Sequence, residues 1–428
     1  MAGIVVLVLA ACVRAPGSAS GGTGGGGMGA VIVCDSDNGG ITLPAGFCAT
    51  VFADQLGVGR HVEVAANGDV FVALRAASAG KTGGIVALRD TTRDGKADVQ
   101  VYFGEAGGTG IKLHNGYIYH DARTAIVRYP MPAGALQPSG PPDTIVADLP
   151  TGGHGARNFV IDANGALYVN VGSFSNSCQV ENRVKESPGV DPCVELETRA
   201  GIWKFDANRK GQRQSDGERY ATGIRNAVAL TLNSRDGRIY VAQHGRDQLY
   251  QNWPQLYDSV QSAEKPAEEL QRLSSGSNFG WPYCFYDPQL AKRVLAPEYA
   301  GDGKGAVGRC ASFEVPVAAF PGHWAPNALV FYSGDMFPSR YKDGAFIAFH
   351  GSWNRAPLPQ QGFKVVFVPF SGGNASGNYE TFADGFTGGR MSRDSAAHRP
   401  TGLAVGPGGA LYISDSKVGR IWRVVFRG

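Results

Sequence analysis

Alternating strand-forming residues follow a glycine turn at six places along the chain. Each copy has Asn, Asp or Gly, then Gly, then one further residue before the alternation begins. The six copies are Asn67-Gly68-Asp69-Val70-Phe71, Asn115-Gly116-Tyr117-Ile118-Tyr119, Asn164-Gly165-Ala166-Leu167-Tyr168, Asp236-Gly237-Arg238-Ile239-Tyr240, Asp343-Gly344-Ala345-Phe346-Ile347 and Gly408-Gly409-Ala410-Leu411-Tyr412. Asn-Gly or Asp-Gly before alternating residues is typical of a β-hairpin.

The spacing of these hairpins predicts an all-β, six-bladed β-propeller in which each blade is a small antiparallel sheet. The second residues of the six turns are 48, 49, 72, 107 and 65 positions apart. The uneven intervals predict long insertions in blades four and five. Helical patterning is sparse, and its best candidate lies near residues 263–273. Six unrelated hairpins in a β-sandwich are the alternative.

Composition supports a folded β protein. Glycine accounts for 61 of 428 residues, and charged residues for 18 %. Few charges and many aromatic and β-branched residues argue against disorder and against a helical bundle. The net charge is +3 and no basic tract occurs, so the sequence does not indicate a nucleic-acid partner.

The first residues predict export. An apolar run over 4–11 ends at Leu9-Ala10-Ala11-Cys12, which resembles a bacterial lipobox, so residues 1–12 are assigned to a signal peptide with a lipid anchor at Cys12. An ordinary signal peptide with an incidental cysteine is the alternative. Residues 13–30 are rich in glycine and serine and are assigned to a flexible tether, and residues 31–428 to the propeller. We expect the protein in the periplasm or anchored to a membrane.

The remaining six cysteines predict disulfides, since an even number is typical of exported proteins. Spacing favours the pairs Cys34–Cys48, Cys178–Cys193 and Cys284–Cys310 among 15 connectivities.

Several polar residues lie in segments that a propeller would bring to one face. His154 lies in a glycine-rich loop and has a ring suited to a general base. Arg225 lies among small and apolar residues, where a buried guanidinium needs an anionic partner, either a structural carboxylate or a ligand. The turn His244-Gly245-Arg246-Asp247 offers backbone carbonyls that suit Ca²⁺.

Taken in order, these motifs resemble the soluble glucose/sorbosone dehydrogenase superfamily. The resemblance rests on His154, Gly223-Ile224-Arg225-Asn226, His244-Gly245-Arg246-Asp247, Asn278-Phe279-Gly280-Trp281-Pro282, His323-Trp324-Ala325-Pro326, His350-Gly351-Ser352-Trp353-Asn354-Arg355 and His398-Arg399-Pro400. The last four segments are similar to the sorbosone dehydrogenase-like branch. Members are six-bladed propellers that use pyrroloquinoline quinone (PQQ) and Ca²⁺.

The resemblance implies a role for each matching residue. His154 corresponds to the catalytic base. The implied PQQ-binding residues are Arg225, Asn226, Arg399, Arg355 and Trp324. Gly245 and Arg246 correspond to the carbonyl ligands of Ca²⁺, although the family's glucose enzymes have Pro where this chain has Arg246.

The implied activity is oxidation of a sugar, a sorbosone-like aldehyde or a related polyol. Electrons would pass to an external acceptor such as a periplasmic cytochrome, a quinone or a dye. Two alternatives remain open. One is a calcium-dependent lactonase or esterase on the same fold, which needs a carboxylate-rich metal site. The other is a non-enzymatic propeller lipoprotein that binds a partner.

Overall fold

A computed structural model describes residues 1, 3, 33–105 and 107–428. Six antiparallel sheets surround a central channel, and each contains one of the six hairpins. The predicted six-bladed β-propeller is therefore confirmed. The assigned signal peptide with Cys12, and the tether, lie outside the described residues, apart from Met1 and Gly3.

The strands are numbered in chain order. After β1 (Phe47–Ala53), blade one is β2 (Gly57–Val64), β3 (Val70–Ala77), β4 (Ile85–Arg89) and β5 (Val99–Phe103). Blade two is β6 (Ile111–His114), β7 (Tyr117–Asp121), β8 (Ile126–Pro130) and β9 (Asp143–Ala147). Blade three is β10 (Phe159–Ile161), β11 (Ala166–Val171), β12 (Gly201–Asp206) and β14 (Glu218–Thr222), while β13 (Gln212–Arg213) pairs with β9.

The remaining strands complete three blades and two accessory hairpins. Blade four is β15 (Ala229–Asn233), β16 (Arg238–Gln243), β17 (Glu268–Leu273) and β21 (Ala318–Phe320). Between β17 and β21 come β18 (Ser277–Asn278), which pairs with β14, and the hairpin β19 (Cys284–Asp287) with β20 (Lys292–Leu295). Blade five is β22 (Pro326–Phe331), β23 (Ala345–Phe349), β24 (Lys364–Val368) and β27 (Glu380–Ala383), with the hairpin β25 (Phe370–Ser371) and β26 (Asn374–Ala375). Blade six is β28 (Pro400–Val405), β29 (Leu411–Asp415) and β30 (Ile421–Phe426).

Each of the six predicted turns joins the first and second strands of its blade. In five of them the second turn residue is a glycine with positive φ, for example 92° at Gly68 and 83° at Gly165. In the fifth copy Asp343 takes the positive φ of 65° instead. Asp and Asn tolerate this conformation better than other residues with a side chain, which is why the motif admits them.

The ring closes by pairing the two ends of the chain. Strand β1 is antiparallel to β30, with Phe47 opposite Phe426, so the N-terminal strand supplies the outer strand of blade six. The first strand of each blade contacts that of the next, including β28 with β2. Closure leaves the ring without a free first or last sheet.

Hydrophobic clusters fill all six interfaces between neighbouring blades. The interface of blades five and six contains Phe346, Phe382 and Trp422, and that of blades three and four contains Ile202 and Val241. Equivalent clusters lie between the other four pairs. Burial of this apolar surface fixes each blade against its neighbours and thereby fixes the loops at the channel.

The longest connections occur within blades three and four, at residues 172–200, 244–267 and 274–317. The predicted placement of the insertions in blades four and five is thus not confirmed. The helix predicted near 263–273 is wrong for most of that range. Helix α1 is Leu249–Asn252 and α2 is Ser259–Glu264, and Glu268–Leu273 is a strand. Pro266 cannot donate a helical hydrogen bond and disfavours a helical residue before it.

Smaller elements complete the description. The 3₁₀ turns are Asn38–Gly40, Val194–Glu197, Gln214–Asp216, Pro297–Tyr299, Gly308–Ser312 and Ser339–Tyr341. The disulfides Cys34–Cys48, Cys178–Cys193 and Cys284–Cys310 are all present, as predicted. Among the described residues, none of the helices has the length and hydrophobicity needed to span a bilayer.

Candidate functional site

The polar residues singled out in the sequence lie in two kinds of loop at the same end of the blades. One kind joins the last strand of a blade to the first strand of the next, and it carries His154, Arg225, Asn226, Trp324 and Arg399. The other follows the second strand of a blade, and it carries Gly245, Arg246 and Arg355. Both lie opposite the six hairpin turns, so the fold brings these segments to one mouth of the channel.

His154 is held in one tautomer by its neighbour in blade three. Its Nδ1 is 2.9 Å from the Ser173 carbonyl oxygen and 3.0 Å from the Ser173 hydroxyl oxygen. Because a carbonyl oxygen only accepts, Nδ1 carries the proton and Nε2 is left with a free lone pair. Burial, and then the charge of Arg225, lowers the pKa of His154 to about 3. The ring is therefore neutral and able to accept a proton over the physiological pH range.

Arg225 is fully engaged at the base of the site. Its Nη2 donates to Asp247 Oδ2 at 3.1 Å and to Asn176 Oδ1 at 3.0 Å, and its Nη1 donates to the Gly245 carbonyl at 2.8 Å. Arg183 also contacts Asp247, at 2.8 Å. Although burial alone would raise it, the pKa of Asp247 is held well below its usual range by Arg225. The arginine thus has the structural carboxylate that burial requires.

Asn226 presents an unpaired acceptor to a cavity. Its side chain is 5 % exposed, and its Oδ1 has no hydrogen-bond partner among the described residues. A Cβ built on Gly172 would lie 2.7 Å from His154 Cβ and 3.3 Å from Asn226 Oδ1, so both side chains pack at that glycine. An unpaired buried acceptor is costly, and a donor from a ligand would relieve that cost.

The cavity has a volume of about 540 Å³ and lies between blades one, two and three. His154 and Asn226 form one wall. Arg60, Arg75 and Arg123 also line the cavity, together with glycines of two loops. This is a site with a neutral histidine, an unpaired amide and several guanidinium groups, and it suits an anionic ligand that reacts by losing a proton.

Arg399 contributes from blade six. Its Nε donates to the His350 carbonyl at 2.9 Å and its Nη2 to the Gly351 carbonyl at 2.8 Å. Burial and then Arg393 lower the pKa of Arg399 to about 10. Burial is also the largest cause that lowers the pKa of His350, and the charges of Arg399 and Arg60 lower it further. The positive charges of Arg60 in blade one and Arg399 in blade six therefore act on the same group at the channel mouth.

Two predicted metal ligands do not make a calcium site by themselves. The Gly245 carbonyl accepts from Arg225, so a cation there would lie beside a guanidinium. The side chain of Arg246 turns away and pairs with Glu298 at 2.5 Å. No group of three or more His, Cys, Asp or Glu in the described part of the chain could hold a metal ion. The described residues thus offer no cluster of carboxylates or imidazoles for Ca²⁺, and a site made of backbone carbonyls stays a prediction.

Two predicted cofactor-binding residues lie away from the cavity. Arg355 is 0 % exposed, pairs with Glu264, and donates to the Ala263 carbonyl at 2.6 Å and the Gly322 carbonyl at 2.8 Å. It joins the end of α2 to the loop after β23. Trp324 packs edge-on against Phe349 in the cluster between blades four and five. Both side chains are already used in packing and internal bonds, which indicates structural roles, and their predicted part in cofactor binding stays untested.

Sequence reasoning missed four other participants, Arg60, Arg75, Arg123 and Asp247. Arg75 interrupts the otherwise apolar strand β3, and a charged residue in such a strand was the available signal for it. Arg60 lies in β2 beside His61 and near Glu63, where a charge does not stand out. No local pattern shows that Asp247 meets Arg225, since the two lie in different loops.

Known proteins resemble this chain over different lengths. A protein of Borreliella burgdorferi described as uncharacterized is 27 % identical over 277 residues, which are 64 % of this chain and 61 % of that protein. A pyrroloquinoline quinone-dependent pyranose dehydrogenase of Coprinopsis cinerea is 29 % identical over 160 residues, 34 % of this chain and 21 % of that enzyme. The chain therefore spans less than two thirds of the curated relatives it matches.

Solved structures share the fold at lower identity. The holo form of the pyranose dehydrogenase PQQ domain of Coprinopsis cinerea has a TM-score of 0.72 at 20 % identity and covers 90 % of this chain and 97 % of that one. The apo soluble aldose sugar dehydrogenase of Escherichia coli has a TM-score of 0.57 at 17 % identity, with 89 % and 100 % covered.

These matches confirm the predicted resemblance at the level of the superfamily, while the sorbosone-like branch stays a prediction. The model of the TrAA12-like family matches residues 41–426, nearly the whole of the predicted propeller. The chain therefore belongs to the TrAA12-like family.

Proposed function

We propose that this chain is a PQQ-dependent dehydrogenase that oxidises a sugar at the cavity beside His154. The observation that carries the proposal is the unpaired Oδ1 of the buried Asn226, which shares its wall with a neutral histidine whose Nε2 is free. The Coprinopsis relative, by its name, is a PQQ-dependent pyranose dehydrogenase. The family supports the reaction class, and the cavity supplies groups suited to it.

The residues of the channel mouth fit PQQ, a planar quinone with three carboxylates. Arg399 keeps Nη1 free of partners in the described part of the chain, and Asn226 Oδ1 would accept from a ring N–H. Arg225 would add positive charge from below. When bound, PQQ supplies the electrophilic carbonyl that takes a hydride from the substrate.

The protein's own part is to orient the sugar and to remove a proton. His154 Nε2 accepts the hydroxyl proton of the carbon that is oxidised, while Ser173 holds the ring by Nδ1. Burial, and then the charge of Arg225, keep the ring unprotonated at neutral pH, so that the Nε2 lone pair is present. Ca²⁺ stays a prediction from the resemblance; at the Gly245 carbonyl it would lie beside Arg225, which donates to the same oxygen.

Export belongs to the proposal too. Three disulfides support an oxidising compartment. We propose a periplasmic or lipid-anchored protein that passes electrons to an external acceptor. The lactonase alternative gains no support, since the described residues offer no carboxylate cluster for its metal.

Titration of the purified protein with PQQ tests the proposal, with tryptophan fluorescence and the quinone absorption as readouts. We expect saturable binding, and dye reduction when an aldose or another pyranose is added. Parallel titrations with and without Ca²⁺ decide whether the calcium predicted from the resemblance is needed. Absence of PQQ binding in both would refute the proposal.

The variant Asn226→Ala sharpens the test. It removes the acceptor, and we expect PQQ affinity to fall by about tenfold, the effect of one hydrogen bond of about 1.4 kcal/mol. Asn164→Ala, in an exposed hairpin turn at the far end of blade three, is the matched control and should bind PQQ normally. Unchanged affinity in Asn226→Ala would remove Asn226 from the cofactor site.

A further inference from the structure

Three arginines form a positively charged part of the cavity lining, which we call the arginine wall. Arg60, Arg75 and Arg123 line it from blades one and two. Arg75 and Arg123 are exposed at the rim. None of the three forms an ion pair with a carboxylate in the part of the chain that the structure describes. Arg60 Nε donates to the Thr109 hydroxyl at 3.3 Å, an interaction that leaves its charge unneutralised.

The acidic side chain on the cavity lining is committed elsewhere. Asp121 is 3.6 Å from Arg157, and it accepts from the backbone N–H groups of Thr109 at 3.1 Å and Arg123 at 3.0 Å. The lining therefore carries three guanidinium groups against one carboxylate, Asp121, which also attracts Arg60, so the cavity keeps a net positive charge. Burial, and then repulsion from Arg75, lowers the pKa of Arg60 to about 10, so the two arginines lie in each other's field.

We propose that Arg60, Arg75 and Arg123 form a carboxylate subsite, and that the substrate is an acidic sugar such as a hexuronic acid. This inference rests on the proposed function, because it places the substrate between this wall and His154. Arg225 and Arg399 are buried and already donate to backbone carbonyls, whereas Arg75 is exposed and accessible to a substrate. A guanidinium recognises a carboxylate through paired hydrogen bonds that a neutral hydroxymethyl group cannot form.

The reaction itself leaves the carboxylate unchanged. The C1 hydroxyl of the hexuronic acid would give its proton to His154 Nε2, and PQQ, when bound, would supply the acceptor for the two electrons and the hydrogen of the C1–H bond. The product would be the lactone of the aldaric acid. The subsite contributes orientation and affinity, and no further reactant is needed.

Calorimetry with D-glucuronate and D-glucose on the protein without PQQ tests the subsite directly. The two sugars differ only in a carboxylate against a hydroxymethyl group at C6. We expect glucuronate to bind about tenfold or more tightly than glucose, as for a site built around a charged hydrogen bond. Raising the salt concentration should reduce the difference, since the rim arginines are exposed. Equal affinities would overturn the inference.

The variant Arg75→Gln separates substrate from cofactor. Because Arg75 is exposed, we expect normal folding, PQQ affinity within about twofold of wild type, and loss of most of the glucuronate preference. Arg238→Gln, exposed at the hairpin end of blade four, is the matched control and should keep the preference. A variant with weaker PQQ binding and an intact glucuronate preference would assign the arginine to a cofactor carboxylate and overturn the inference. Failure of the wild type to bind PQQ would refute the proposed function and leave the calorimetric comparison valid.

Discussion

At the scale of single residues, the protonation of His154 is set by its surroundings rather than by its type. The Ser173 carbonyl fixes Nδ1 as a donor, and burial with Arg225 keeps the ring neutral. We expect His154→Gln to lower turnover by about 10²–10⁴-fold, the usual contribution of a general base. PQQ binding by fluorescence should be retained.

The control for that variant is His114→Gln, in the turn at the opposite end of blade two, where the ring contacts Asn115. It should keep full turnover. Full activity in His154→Gln would exclude His154 as the base, and loss of PQQ binding would assign it to the cofactor instead.

The pH dependence of turnover follows from the same residue. Since the pKa of His154 lies at about 3, the base stays unprotonated well below pH 6.5. We expect kcat/KM to show no acidic limb near pH 6.5 and to fall only below about pH 4. Initial rates in buffers of constant ionic strength measure this. A midpoint near 6.5 would contradict a base whose pKa is lowered this far.

At the scale of elements, the loop after β11 contacts both His154 and Arg225 and so fixes their positions relative to each other. Ser173 contacts His154, Asn176 contacts Arg225, and the disulfide Cys178–Cys193 closes the loop immediately beyond. Replacing both of these cysteines by alanine should cost about 3 kcal/mol in the chain-entropy picture and should also lower turnover.

The disulfide Cys34–Cys48 supplies the comparison. It closes a loop of similar length, 14 residues against 15, but it ties the N-terminal segment to β1 on the outside of blade six. Its removal should lower the free energy of unfolding by a similar amount and leave turnover of the folded protein unchanged. Urea denaturation and steady-state rates on both variants distinguish the two effects. Equal turnover in both would show that the loop does not position the site.

The second prediction at this scale concerns the contribution of Arg355 to stability. It pairs with Glu264 at the end of α2 and donates to two buried carbonyls. Arg355→Met should lower the free energy of unfolding by about 2–4 kcal/mol, because each unsatisfied carbonyl costs about 1–3 kcal/mol. PQQ affinity of the folded variant should not change. A selective loss of PQQ affinity at normal stability would restore Arg355 to the cofactor site.

These elements show what the sequence could predict. The hairpins are local, since an Asn-Gly or Asp-Gly pair sets its own turn, and the six copies were found without tertiary information. The side-chain contacts of Arg355 and Trp324 depend on tertiary structure. Arg355 pairs with Glu264 in α2, and Trp324 packs in the cluster between blades four and five. The ion pair between Arg225 and Asp247 also depends on tertiary structure, so the sequence did not predict it.

At the scale of the whole molecule, the channel end of the propeller concentrates buried neutral histidines. Burial is the first cause in each case, and it lowers the pKa to about 4 at His61 and His244 and well below the usual range at His350. With His154 these rings lie close to several arginines. The arrangement suits an anionic ligand, and it also makes the fold sensitive to acid.

The sign of that sensitivity follows from proton linkage. In the unfolded chain the histidines bind protons near pH 6.5, whereas in the fold they do so only near pH 4 or below, so unfolding takes up protons between these limits. Three groups act in the opposite sense: burial raises the pKa of Glu268 to about 7 and that of Asp121 above its usual range, and, against burial, Asp247 raises that of His323. The four histidines with lowered pKa values outnumber them. Stability should therefore be fully present above about pH 6.5 and should fall steadily toward pH 4.

Differential scanning calorimetry from pH 8 to 4 measures this fall, and buffers of different ionisation enthalpy count the protons taken up. The variant His61→Gln keeps a donor for the Asn327 carbonyl, which now accepts from His61 Nε2 at 2.7 Å, and cannot be protonated. Its melting temperature should decline less steeply between pH 6.5 and 4 than that of the wild type. An equal decline, or a wild-type melting temperature that does not change over this range, would show that the histidines take up their protons in the folded state as well.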